Sequence, residues 1–259
     1  MLKVVLCVIV SMATAAFAAN SNAESFGDPA KTGPAVISLD YQGSRLQRLT
    51  DQPTLSIYAD GTVLMPKVYA HSRAYSGTIS QAELQSLLGL IQKNEFFAFD
   101  ESEVKSKVWS LPVPYNELPG HLASTVITVR GSAGSKTVSY FGLGHEPLVK
   151  ETEQLLAIRN RLDQIMSIMK LGGQAEAQRW LALANADLSG KLPNVAPLTL
   201  DDLRSAAIHG DGSAFVRFAR VTPESKSSIS VSISMNESGE SSIAIARDDL
   251  LSRSPNQIR

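Results

Sequence analysis

Between Ser228 and Met235, serine alternates with a large apolar residue without a break: Ser228, Ser230, Ser232 and Ser234 against Ile229, Val231, Ile233 and Met235. Side chains along a strand point to opposite faces in turn, so this period of two predicts one dry face and one wet face. Such strands belong to antiparallel sheets that pack on one side and meet water on the other. Ala214, Val216 and Phe218 precede it on the same period. Glu237-Ser238-Gly239 turns the chain, and Ile243 and Ile245 return it. The C-terminal end is therefore expected to be a three-stranded antiparallel meander with a solvated serine face.

The same signals recur near the start. Ile37, Leu39 and Tyr41 alternate with Ser38 and Asp40, and Asp60-Gly61 separates two β-prone runs, Thr54–Tyr58 and Thr62–Met65. An Asp-Gly step in that setting predicts a hairpin with a type I′ turn. Ser124–Val129 and Thr137–Leu143 form a second hairpin pattern around Gly131-Ser132-Ala133-Gly134. Helical patterns alternate with these strands. Ser80 and Glu83 have the spacing of a capping box. Leu84, Leu87, Leu88 and Ile91 follow as one stripe toward a C-cap at Asn94, and Phe96 and Phe97 are expected to plug the core beyond it. The longest helix is predicted from Pro147 to Lys170, with Leu148, Leu155, Ile158, Leu162, Ile165 and Met169 as its seam. Another runs from Gln174 to Leu188, burying Ala177, Trp180, Leu181 and Ala184, with Gly190 as its cap. A short one is expected from Thr199 to near His209. Residues 100–120, with Leu111-Pro112-Val113-Pro114 and Leu118-Pro119-Gly120, read as a long irregular loop.

The fold class expected is α+β: antiparallel hairpins in one or two sheets, with the long helix packed across. Residues 1–18 read as a signal peptide: Lys3, an apolar run from Val4 too short for the roughly 20 residues of a membrane span, and Ala16-Phe17-Ala18 as the cleavage signal. Residues 19–34 are a flexible leader, 35–172 an α+β domain with two hairpins and two helices, and 173–259 helices followed by the meander. Cleavage near Ala18/Ala19 implies a periplasmic or extracellular protein whose mature chain carries no membrane span. It also removes Cys7, the sole cysteine, so packing alone must hold the mature chain together. A formal net charge of −1, with both signs interspersed, gives no footprint for nucleic acid.

The chemistry-bearing residues are sparse. The four histidines are His71, His121, His145 and His209. None pairs at the i, i+4 spacing of a helical zinc site, since His145-Glu146 continues with Pro-Leu-Val. His121 and His145 flank the second hairpin and, with Glu117, are the candidate metal ligands. Gly131-Ser132-Ala133-Gly134-Ser135 lies between strands and so is a hairpin loop and not a nucleophile elbow. Gly210-Asp211-Gly212-Ser213 lacks the strand-to-helix setting of a phosphate loop. The candidate contact surface is Trp109, Pro112, Pro114 and Tyr115, where aromatic and proline side chains offer rigid apolar area. The competing expectation is that Trp109 folds back onto the core.

Leu55-Ser56-Ile57-Tyr58-Ala59-Asp60-Gly61-Thr62-Val63, with Gly77 and the capped helix from Ser80 to Ile91, resembles a domain of exported bacterial proteins of unassigned function. An apolar strand, a D-G turn and a G-x-[IL]-S-x-x-E-L helix start recur in that domain. The Val126–Val129 and Val138–Tyr140 hairpin is similar as well. The resemblance spans residues 35–145 and implies a small sheet carrying a helix, without an activity to transfer. The function expected is that of an exported non-enzymatic protein that binds a protein, peptide or envelope component, with no cofactor. The alternative is a secreted or envelope hydrolase, metal-assisted through His121 and His145.

Overall fold

The computed structural model describes residues 33–43, 47–70, 72–111, 122–131, 134–145, 149–209, 211–222 and 227–249. The expected signal peptide and nearly all of the leader lie outside them. The fold is α+β, with two antiparallel sheets of six and four strands and a long helix.

The first sheet takes the strands β1 (Ile37–Gln42), β2 (Leu55–Ile57), β3 (Thr62–Met65), β4 (Tyr75–Thr78), β5 (Ser124–Gly131) and β6 (Gly134–Phe141) in the order β4-β3-β2-β1-β5-β6. Register aligns the apolar positions across it. Leu55, Leu39, Ile127 and Val138 form one row, and Val63, Ile57, Ile37 and Val129 the next. These rows face helices α1 (Gln81–Lys93) and α3 (Lys150–Lys170), which supply Leu84, Leu87 and Ile91, and Leu155, Ile158, Leu162 and Ile165. The capping box at Ser80 and Glu83 is formed, and Asn94 caps the far end of α1. Phe96 is buried, but Phe97 is 51% exposed, so only one of the two aromatic rings plugs the core.

The Asp60-Gly61 hairpin forms with a different turn. Gly61 has φ 88°, while Asp60 stays outside the left-handed region. Gly61 N–H donates to the Tyr58 carbonyl at 3.0 Å and Tyr58 N–H to the Thr62 carbonyl at 2.9 Å. This is a three-residue loop closed by a glycine bulge in place of type I′. The same bond pattern recurs at Asn236–Glu240, with Gly239 at φ 81°.

The stretch expected as loop contains a helix, α2 (Glu101–Trp109). Asp100 caps it by accepting from Ser102 and Glu103, and Val104 and Val108 are its buried face. The first unit thus carries three helices instead of two. Helix α4 (Gln174–Lys191) runs through Gly190 and ends at Leu192.

The second sheet is a meander of four strands, not three: β7 (Leu203–Ile208), β8 (Ala214–Thr222), β9 (Ser227–Met235) and β10 (Ser241–Asp249). The helix expected from Thr199 is a single 3-10 turn, Leu200–Asp202, and the chain then enters β7. The Thr199–Asp202 box is real, but it caps one turn only. Leu203 and Ala206 are buried with Val216 and Phe218, so packing against the neighbouring strand overrides the local helical signal. Helix α4 lays Ala177, Trp180, Leu181, Ala184 and Leu188 on the sheet's apolar face.

Candidate functional site

Three buried or half-buried charge clusters tie the framework together. Arg48 reaches Asp40 at 2.8 Å and also donates to the carbonyls of Tyr41, Thr50 and Gln52. Burial alone would raise the Asp40 carboxyl, yet hydrogen bonds from Arg48, Gln42 and Thr54 hold it below the usual carboxylate range. Arg220 grips Asp202 together with the carbonyls of Ala196 and Pro197. Tyr41 donates to Asp163 of α3 at 2.5 Å, and Arg159 donates to the Leu143 carbonyl at 2.6 Å. Burial pushes the Asp163 carboxyl up, against the pull of Tyr41 and Arg159. The Arg48 and Arg220 clusters spend their arginine donors on backbone carbonyls and one carboxylate, the arrangement of a structural staple, whereas Arg159 Nε of the third is buried 3.7 Å from Asp163 without a hydrogen bond.

Trp109 is the last residue of α2 and is 70% exposed, so it does not fold back onto the core. Pro112, Pro114 and Tyr115 lie outside the described residues, as do His71, His121 and Glu117. His145 sits in the turn after β6, exposed, its N–H donating to the Gly142 carbonyl. Among the described residues, no group of three or more His, Cys, Asp or Glu side chains is placed to hold a metal ion. No helix among them is long and apolar enough to cross a membrane.

A cleft of about 320 Å³ opens beside β4, the edge strand of the first sheet. Ser76, Gly77 and Thr78 form one wall. Ile165, Ile168 and Met169 of α3 form the floor, and the Gly172–Gln174 turn closes one side. Two charged side chains, Glu83 and Arg161, also reach it. The Glu83 carboxylate is committed to the cap of α1, accepting from the Ser80 N–H and hydroxyl at 2.9 Å. Arg161 donates to Gln164 and lies 3.9 Å from the exposed Asp201 carboxylate. An apolar floor beside a polar backbone edge suits binding: it can hold a ligand, and Glu83 is already occupied as a cap. Sequence reasoning missed this cleft because its parts come from residues 76–83, 161–169 and 172–174. Gly77, Glu83, Ile165 and Met169 stood out singly, as parts of a helix start, a capping box and a helix seam, with nothing to join them.

The chain matches no family model, no curated protein and no solved structure.

Proposed function

We propose that this is an exported, non-enzymatic protein whose role is to bind a protein, peptide or envelope component. The cleft beside β4 carries the reading: it joins an apolar floor to an open strand edge, and the acidic side chain reaching it caps α1. Binding sites of this kind are concave, mostly apolar and furnished with a few polar groups. Exposed Trp109 adds a second apolar contact of the type enriched at interfaces.

The test is capture on the purified chain from the source organism's envelope fraction, followed by titration of the recovered component in purified form. Saturable binding without chemical change to the component is expected. Turnover of the component, or failure of any component to bind saturably, overturns the reading.

A further inference from the structure

We propose that the open edge of β4 takes up an extended polypeptide segment as a seventh strand, with an apolar side chain seated on Ile165, Ile168 and Met169. The inference rests on the reading of the chain as a binding protein and names where and how it binds.

The direction of the backbone groups follows from the ladder. β4 pairs with β3 in the register Thr62 with Thr78, Val63 with Gly77, Leu64 with Ser76 and Met65 with Tyr75. The Ile79 N–H donates to the Gly61 carbonyl at 2.9 Å, which continues that register by one pair. Antiparallel pairs alternate between bonded and non-bonded. Gly77 and Tyr75 therefore spend their N–H and C=O groups on β3, while Ser76 and Thr78 turn theirs away from it, along the wall of the cleft. Among the described residues nothing donates to these outward groups or accepts from them. Two donors and two acceptors at the repeat of a strand are complementary to another extended backbone, the basis of β-strand addition.

The side-chain preference comes from Gly77. Its inward face has no side chain, and a Cβ there would stand 2.6 Å from Met169 Sδ. A residue of the added strand directly opposite Gly77 shares that face and projects toward α3, onto the apolar floor. The lining carries both signs: Arg161, which lies 3.9 Å from the Asp201 carboxylate, and Glu83, whose carboxylate caps α1. The two signs offset one another, so the apolar floor, and not charge, sets the preference: the residue opposite Gly77 is apolar.

The probe is a random library of short linear peptides panned on the full chain. Two variants remove an outward N–H without touching a ladder bond: Ser76→Pro and Thr78→Pro, since proline is tolerated on an edge where its missing donor faces outward. Enriched peptides are expected to share an apolar residue at one position of an otherwise variable extended segment. They should bind each proline variant about tenfold more weakly than the natural chain, as loss of backbone hydrogen bonds requires. Methylating the peptide's own backbone nitrogens gives a readout independent of variant folding: alternate positions should lose the same factor and intervening ones nothing. Peptides that bind both variants undiminished but weaken on Trp109→Ala would overturn the β4 site and leave the binding reading standing. An envelope component that binds saturably while no peptide is enriched would do the same. Amide exchange supplies one more outcome that overturns it: Ser76 and Thr78 protected in the free chain and released on removing residues 1–32. That would assign the edge to the chain's own N-terminal segment.

Discussion

Single residues in this protein are constrained chiefly where the backbone comes close to itself or where a charge is enclosed. Gly61 meets both of the conditions that exclude a side chain: φ is 88°, and a Cβ would lie 2.3 Å from the Ile79 carbonyl oxygen. Gly61→Ala is expected to cost about 3 kcal/mol in urea unfolding, since left-handed strain of about 1–3 kcal/mol is joined by displacement of backbone. Asp40 is the enclosed charge. Asp40→Asn should destabilise by about 2 kcal/mol near neutral pH, the scale of weakened charge-assisted bonds. Its folded-state carboxyl is lowered, so its contribution is fully present above the ordinary value of about 4 and is lost as pH falls through the lower folded value. The gap between natural and variant stability should therefore close on acidification; a gap that widened would contradict the Arg48 staple. Trp109 is the opposite case. Trp109→Ala should change stability by less than about 1 kcal/mol, where a buried aromatic deletion costs about 3–5 kcal/mol.

Elements were legible where one local signal acted alone. The Ser80–Glu83 box, the Leu84, Leu87, Ile91 stripe and the Ile/Ser alternation of β9 each state their conformation within a few residues, and each forms as read. Helix α2 was hidden by its neighbours. The prolines after Leu111 dominate residues 100–120, although Asp100, the Val104 and Val108 pair, and Lys105 and Lys107 bridged to Glu101 and Glu103 at 2.7 Å all favour a helix. Asp100→Ala should remove the cap and cost about 1 kcal/mol, read as a lower urea midpoint with unchanged slope. At Thr199 the cap was read correctly, but its helix was not continued, because Leu203 and Ala206 gain more by burial beside β8 than by another helical turn. In the hairpin at Asp60, glycine chemistry gave the turn's place. Its type depended on how Tyr58 and Thr62 paired.

At the scale of the molecule, α3 serves two cores. Leu155, Ile158, Leu162 and Ile165 belong to the first, while Ile168 and the C-cap residue Leu171 join the second. Gln164, buried between them, donates to the Leu200 carbonyl beside β7. A helix shared in this way couples the unfolding of both sheets, so calorimetry should show a single transition. Gln164→Ala, which strands the Leu200 carbonyl, should lower the midpoint and separate the two sheets in amide exchange, with the second opening first. Two well-resolved transitions in the natural chain would contradict the coupling.

The α+β class, the antiparallel hairpins, the long helix and most buried positions were determined by the sequence alone, because periodicity and capping act over three to eight neighbouring residues. Strand order, the fourth strand of the second sheet, the exposure of Trp109 and the cleft beside β4 were decided only by the tertiary structure. Each depends on which distant surfaces meet. Ser76 and Met169 stand 93 positions apart in the chain, and no local pattern encodes that they line the same cleft.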